Sequence, residues 1–234
     1  MKSFCKIVVS LLLMSAAFLA IAMVGWQTDS LAKEEAGAKK VFFWDFEKVD
    51  VGALPPGWKV EATGQYGPLA TWQVQLDPSA PSGKKVLALS STNHHSGSTF
   101  NLCWTDMVPF VDGSISVALR PISGRIDRGG GIMWRVQDKD NYYVARFNPL
   151  EDNFRIYYVK NGHRMMINSA RVRLGPGWHT MKIVQRGDEY KCFLDGKLYL
   201  EGRDSHFEKE GGVGLWTKAD AVTSFDNFKV VLER

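Results

Sequence analysis

Three cysteines among 234 residues are few, and none stands where a metal would be held. Cys-x-x-Cys is absent, as is any zinc-type His/Cys spacing, so a zinc-folded domain and a dithiol redox centre are both excluded. Beyond the N-terminal segment no stretch keeps a sustained helical apolar period, which leaves an all-β sandwich or jelly roll. No Lys/Arg stripe interleaves with aromatic residues, so nucleic-acid binding has no electrostatic footprint. Gly-x-Ser-x-Gly is missing, and with it the elbow of a serine hydrolase. Gly129-Gly130-Gly131 runs into a strand pattern instead of a helix, so it is no phosphate loop and more plausibly lets the chain bend before Ile132. No internal repeat is visible.

What is present begins with a targeting pattern. Lys2 and Lys6 form a positive n-region, Ile7–Ile21 an apolar core, and Ala20-Ile21-Ala22 a small-x-small cleavage site. Residues 1–22 are therefore expected to be a signal peptide, with Ser30-Leu31-Ala32 as the later cleavage alternative. The mature protein would start at Met23 or Lys33, be periplasmic or secreted, and keep no stable membrane anchor. Cys5 precedes the apolar core, so it is not a lipid-bearing cysteine. Loss of Lys2 and Lys6 leaves 27 basic against 25 acidic residues, a balance that selects no charged partner. Cys103 and Cys192 then remain, and their spacing allows either a bridge or two buried thiols. Cys192 alternates with Tyr190 and Leu194, which favours the thiols.

Residues 33–40, KEEAGAKK, make a charged flexible lead-in, and 41–234 suffice for one domain with a full core. Eight Trp, seven Tyr, 13 Phe and 22 Gly suit many short strands joined by tight turns. Strands are expected at 41–47, 71–75, 86–90, 114–120, 132–137, 142–148, 153–160, 164–169, 178–185, 190–194, 198–201, 211–217 and 224–232. Asn161-Gly162 is a strong hairpin turn, and Asp138–Asn141 is a four-residue loop of turn formers. With Gln137 opposite Tyr142, parity puts Met133, Arg135, Gln137, Tyr142, Val144 and Arg146 on one face. Ile132, Trp134, Val136, Tyr143, Ala145 and Phe147 share the other. The second set is apolar and is expected in the core. The first is mixed and is expected to meet water or a ligand.

Residues 129–158 and 211–229, with Trp-His-Thr-Met at 178–181, Leu-Asp-Gly-Lys at 194–197 and Gly-Leu-Trp-Thr-Lys at 214–218, resemble the concanavalin A/laminin G-like sandwich. More narrowly they resemble the bacterial 3-keto-disaccharide hydrolase-like, or family 16 glycoside hydrolase-like, branch. The resemblance implies an antiparallel two-sheet β-sandwich and a saccharide ligand. The glucanases of that kind carry Glu-x-Asp-x-x-Glu on one strand, and this chain lacks it. Hydrolysis of a glycosidic bond needs paired carboxylates, so the main warrant for a glucanase is gone.

The mixed face supplies what holds sugars, aromatic rings and planar polar groups. Arg135, Tyr142, Arg146 and Asn148 lie on it by parity; Asn153, Arg155 and Tyr157 continue it, and Trp216 with Lys218 could extend it. Glu151 and Asp152, in the adjoining loop, are the only acids placed to act as a general acid or base. The bland alternative is that long Arg and Tyr side chains merely cover a solvated sheet. No cofactor is required. The resemblance implies one optional ion, a structural calcium where first and last strands pair, with Glu47 and Asp226 as ligands. Asp138, Asp140 and Asn141 lack the Gly and distal Glu of a calcium loop and read as a turn. His94-His95 lie in a polar loop with no third ligand at helpful spacing.

Three functions follow: a non-catalytic carbohydrate-binding module, a glycosidase-like enzyme acting on an ordinary or 3-keto disaccharide, and a protein-interaction or adhesion module. Aromatic and amide groups on one face favour the first. The missing carboxylate pair counts against the second, and the lack of an apolar stripe against the third.

Overall fold

The computed structural model of the protein describes residues 39–92 and 97–233. The segment expected to be a leader, the expected lead-in up to residue 38 and His94-His95 lie outside the described residues. Lys40–Glu233 form one compact unit. Fifteen strands make it up: β1 Lys40–Trp44, β2 Lys59–Thr63, β3 Thr71–Leu76, β4 Lys85–Ser91, β5 Phe100–Phe110, β6 Gly113–Ser123, β7 Gly130–Asp138, β8 Asn141–Asn148, β9 Asn153–Lys160, β10 His163–Arg171, β11 His179–Arg186, β12 Glu189–Leu194, β13 Lys197–Arg203, β14 Gly211–Lys218 and β15 Val222–Leu232. Every pairing between them is antiparallel. The all-β two-sheet sandwich expected from the pattern is what the chain forms.

One sheet runs β13-β12-β11-β6-β15-β4-β3, with β1 also on β15; the other runs β10-β9-β8-β7-β14-β5-β2. Alternation explains the core between them. Trp134, Tyr143 and Phe147 of the second sheet are buried with Ile115, Val117, Ile183, Phe225 and Phe228 of the first. Trp134 stacks on Tyr143 at 5.4 Å, and its indole donates to Gln185 Oε1 at 3.0 Å, so its one polar atom is satisfied. Cys103 and Cys192 are both buried free thiols, and burial pushes both thiols up.

β2 and β5 have no counterpart among the expected strands. Residues 100–105 of β5 are buried without interruption, because the strand sits inside the sheet with both faces covered. A strand buried on both faces carries no alternation to read.

The β7–β8 hairpin departs from simple parity. Asp138 pairs with Asn141, as the expected register requires, but Trp134 pairs with Tyr143. Three residues of β7 thus stand against one of β8, a bulge of two extra residues. Arg135 sits in it with φ +48°. The loop is correspondingly a tight turn, with Asp138 Oδ1 accepting from Asp140 N at 2.7 Å and Asn141 Nδ2 at 2.9 Å. The bulge turns Val136 away from the main core. It joins a second apolar cluster with Phe100, Leu102, Trp104, Met133, Tyr142, Val144, Tyr157, Val159 and Trp216.

That second cluster exists because the β10–β2 sheet curls. The Arg164 guanidinium, on edge strand β10, lies 5.8 Å from the Trp216 ring and 4.9 Å from the Phe100 ring. In a flat sheet those strands would be about 19 and 24 Å away. Likewise Tyr142 Oη on β8 is 2.8 Å from Thr63 Oγ1 at the end of β2, four strands off, and Thr63 also donates to the Lys139 carbonyl. The sheet therefore bends over its own outer face, and side chains expected to meet solvent there become a second interior.

Candidate binding site in the curled sheet

Gly131 is where the site starts. Its register partners are Arg146 on β8 and Trp216 on β14. A Cβ added at Gly131 would lie 1.7 Å from the Ala145 carbonyl oxygen, so no side chain fits there. This close approach, more than a bend before Ile132, explains the third glycine of the run. Gly129, at φ +111°, does supply the bend.

Arg146 is the hub. Its Nη1 donates to Asp127 Oδ2 at 3.2 Å, and its Nη2 to Glu151 Oε2 at 2.7 Å and Asn153 Oδ1 at 3.2 Å. Asp127 is fully buried; its Oδ1 accepts from Asn148 Nδ2 at 3.1 Å, and Lys218 Nζ lies 3.6 Å from Oδ2. Asn148 Oδ1 accepts from the backbone of Leu150 and Glu151 and so fixes the β8–β9 turn. Glu151 Oε2 takes further bonds from Asn153 Nδ2 at 2.9 Å and Arg155 Nη1 at 3.3 Å. The loop bearing Asp127 is pinned in turn by Asp220, whose carboxylate accepts from the N–H groups of Arg125, Ile126 and Asp127 at 2.7–3.0 Å.

Burial pushes the Asp127 carboxyl up, only partly opposed by Arg146 and Lys218. Burial also works on Glu151, but Asn153, Arg146 and Arg155 outweigh it and hold that carboxyl below its ordinary value. Lys218 is lowered by burial against the pull of Asp127.

Beside this hub lies an aromatic floor. The Arg164 guanidinium sits 4.3 Å from the Tyr157 ring and caps Phe100 and Trp216 as well. Burial lowers Arg164, and the carboxylate acting on it most strongly is Asp127, already engaged by Arg146 and Lys218. Tyr157 Oη, Arg164 Nη1 and Arg146 Nε are buried without a hydrogen-bond partner. Trp216 Nε1 is satisfied by Tyr142 Oη at 3.2 Å, and Trp104 Nε1 by Glu61 at 2.8 Å.

Seven of the nine candidate ligand residues thus gather here: Arg146, Asn148, Asn153, Arg155, Tyr157, Trp216 and Lys218. Tyr142 shares the face, but contrary to expectation it is fully buried and closes the curl through Thr63 and Trp216. Arg146, Asn148, Asn153, Tyr157 and Trp216 are also buried where a solvent- or ligand-facing surface was expected, Arg146 being held by Asp127, Asn153 and Glu151. Arg135 is removed from the face by the bulge. Its donors are taken by the carbonyls of Val111, Phe207 and Gly187 and by Asp112, at 2.6–3.3 Å, so it braces the β14-side loops and has no free edge for a ligand. Asp152 is not poised for chemistry either: at φ +52° it ion-pairs with Arg173 at 2.5 Å.

Asp127 and Arg164 were absent from the sequence reading. Asp127 lies in a loop, where no parity applies. Arg164 was accessible: the Asn161-Gly162 turn pairs it with Val159, on the Tyr157 side of β9.

The first and last strands pair, β1 on β15. Glu47 and Asp226 flank the turn at 82–85, but they do not fit a calcium ion. Asp226 Oδ2 accepts from Ser82 N and Oγ, and Glu47 Oε1 from Lys84 N and Lys85 N at 2.8 and 2.6 Å. A calcium ion bound through Glu47 Oε1 or Asp226 Oδ2 would have to displace these backbone N–H groups. Among the described residues no three His, Cys, Asp or Glu side chains group to hold a metal.

No family model matches the chain. A levanase of Bacillus subtilis strain 168 is 30% identical over 105 residues, 43% of this chain and 15% of the levanase. The chain thus matches only a small part of that relative's length. The carbohydrate-binding module CBM66 from Bacillus subtilis superposes with a TM-score of 0.57 at 22% identity, covering 74% of this chain and 95% of the module. SCLam, a non-specific endo-β-1,3(4)-glucanase of family GH16, gives 0.57 at 10% identity over 84% and 92%. A Bacteroides ovatus GH16 enzyme gives 0.55 at 13% over 82% and 99%. The chain has the concanavalin A-like jelly-roll fold these proteins share.

Proposed function

We propose that the domain is an exported, non-catalytic carbohydrate-binding module whose ligand enters the mouth of the curled sheet. The carrying observation is the pairing of an aromatic floor with buried polar atoms left without partners, Tyr157 Oη and Arg164 Nη1. Buried polar groups in folded proteins are nearly always satisfied, so two side by side call for a ligand or ordered water. Sugars offer the matching chemistry, hydroxyls for the polar atoms. The likeness to a carbohydrate-binding module and the partial match to a levanase support this choice of ligand class.

Its carboxylates argue against hydrolysis. A glycosidase needs one carboxyl free to donate a proton and a second free to attack or to activate water. Here Asp127 and Glu151 grip opposite nitrogens of one guanidinium, and Asp127 is wholly enclosed. Asp127 is sealed, and Glu151 is held in its ionised form by Asn153, Arg146 and Arg155, so no proton-donating acid pairs with a free base here.

Titration of the mature protein with levan, β-glucan and other oligosaccharides, with product analysis on the same mixtures, tests the reading. Binding without product, weakened at least tenfold by Tyr157→Ala, is expected. Absence of any saccharide binding, or turnover that Glu151→Gln abolishes, would overturn it. Export is checked by N-terminal sequencing of protein recovered outside the cytoplasm, with Met23 or Lys33 expected first.

A further inference from the structure

The site carries more positive than negative charge, and the surplus is not spread evenly. Arg146, Arg155, Arg164 and Lys218 face Asp127 and Glu151. Both carboxylates are already shared: Asp127 between Arg146 and Lys218, Glu151 between Arg146 and Arg155. Arg164 makes no ion pair and no hydrogen bond within the described residues; its contacts are the faces of Phe100, Tyr157 and Trp216. A guanidinium so placed has an edge free for a planar or tetrahedral anion, the fork geometry that carboxylate and sulfate oxygens match. Arg164 is half-buried, its Nη1 sealed and without a counter-charge, a placement that an anion would stabilise.

We infer that the preferred ligand is an acidic saccharide, its anionic group on Arg164 with Lys218 or Arg155 beside it. This rests on the saccharide-binding reading and narrows it. Tyr157, beneath the Arg164 guanidinium, is 4% exposed and its hydroxyl lacks a partner, a second unmatched polar group at the same place. The saccharide-binding reading supplies the sugar, and the cationic rim requires charge on it. A neutral fructan or glucan would offer Arg164 hydroxyls but leave its charge without a counter-ion.

The test is calorimetric titration of the mature protein with three matched oligosaccharide sets: neutral, uronic acid-containing and sulfated. Each is run at about 20 and 300 mM salt. Acidic oligosaccharides should bind at least tenfold more tightly than neutral ones at low salt, and the ratio should shrink at high salt as screening grows. Stronger binding of the uronate set would assign a carboxylate, and of the sulfated set a sulfate ester. Arg164→Met should bring the acidic-to-neutral ratio to about one. Arg164→Lys, which keeps the charge and loses the fork, should retain an intermediate ratio and guards against a folding artefact. Neutral sugars bound as well as acidic ones, or a ratio unmoved by Arg164→Met, would overturn this inference while leaving the saccharide-binding reading intact. No binding of any set would fell both.

Discussion

Replacing Arg146 by Met should expose how much of the fold is held by its charged hub. The side chain is 1% exposed, and Asp127, its partner at 3.2 Å, is fully buried. Removing the guanidinium leaves Asp127 with Asn148 and with Lys218 at 3.6 Å, and no charge-assisted bond of good length. Breaking a buried pair on one side typically costs about 3–5 kcal/mol, because the remaining charge is stranded. The Glu151 contact adds little, since Glu151 is partly hydrated. For a domain of this size each kcal/mol moves Tm by about 2–4 °C, so a fall of roughly 6–20 °C is expected in thermal unfolding. Urea unfolding of the single variants and of Arg146→Met with Asp127→Asn supplies the control. With the stranded charge removed, the double variant should cost at least about 1 kcal/mol less than the singles added together. Additive losses, or a single variant costing under about 1 kcal/mol, would refute the claim that Arg146 neutralises a sealed carboxylate.

Trp134→Ala, deep between the sheets and bonded to Gln185, should lose about 3–5 kcal/mol in urea unfolding. Tyr142→Phe keeps the ring but removes the hydroxyl that meets Thr63 and Trp216, and should cost about 1–2 kcal/mol; no loss would deny that this contact closes the sheet. Glu151 has a folded pKa below its ordinary value of 4.5, so its stabilising contribution is complete above that pH and is lost as pH falls through the folded value. The Tm gap between the natural protein and Glu151→Gln should therefore be steady at neutral pH and narrow below about 4.5, whereas an unchanged gap would contradict the clamp. Asp127, with its carboxyl pushed up by burial, works in the opposite sense, so its variant is not the one to use. Chelator should leave the melting curve unmoved, since Glu47 and Asp226 are turned to backbone N–H groups.

How far the site was legible can be followed residue by residue. Parity placed Trp134, Tyr143 and Phe147 inward and Tyr142, Val144 and Arg146 outward, because a strand's side chains alternate whatever surrounds them. It failed at Arg135 and Val136, where two extra residues in β7 rotate the chain without a composition signal. Arg164 could have been found by carrying the same parity through Asn161-Gly162. Asp127 could not, since its position depends on Asp220, 93 residues away along the chain.

Sequence alone determined the strand-rich sandwich, the inward set of β8 and the clustering of polar and aromatic residues on one face. All of these rest on local periodicity and turn chemistry, which act over a few residues. Tertiary structure decided that this face is an interior instead of a solvated surface. Exposure depends on the curl of the whole sheet, which brings Thr63 to Tyr142 and Arg164 over Trp216 from strands that share no local pattern. It also decided which charges are paired, because Asp127, Arg146, Glu151 and Lys218 come from two strands and two loops. Ion pairing falls off over a few ångströms, a distance that chain separation does not report.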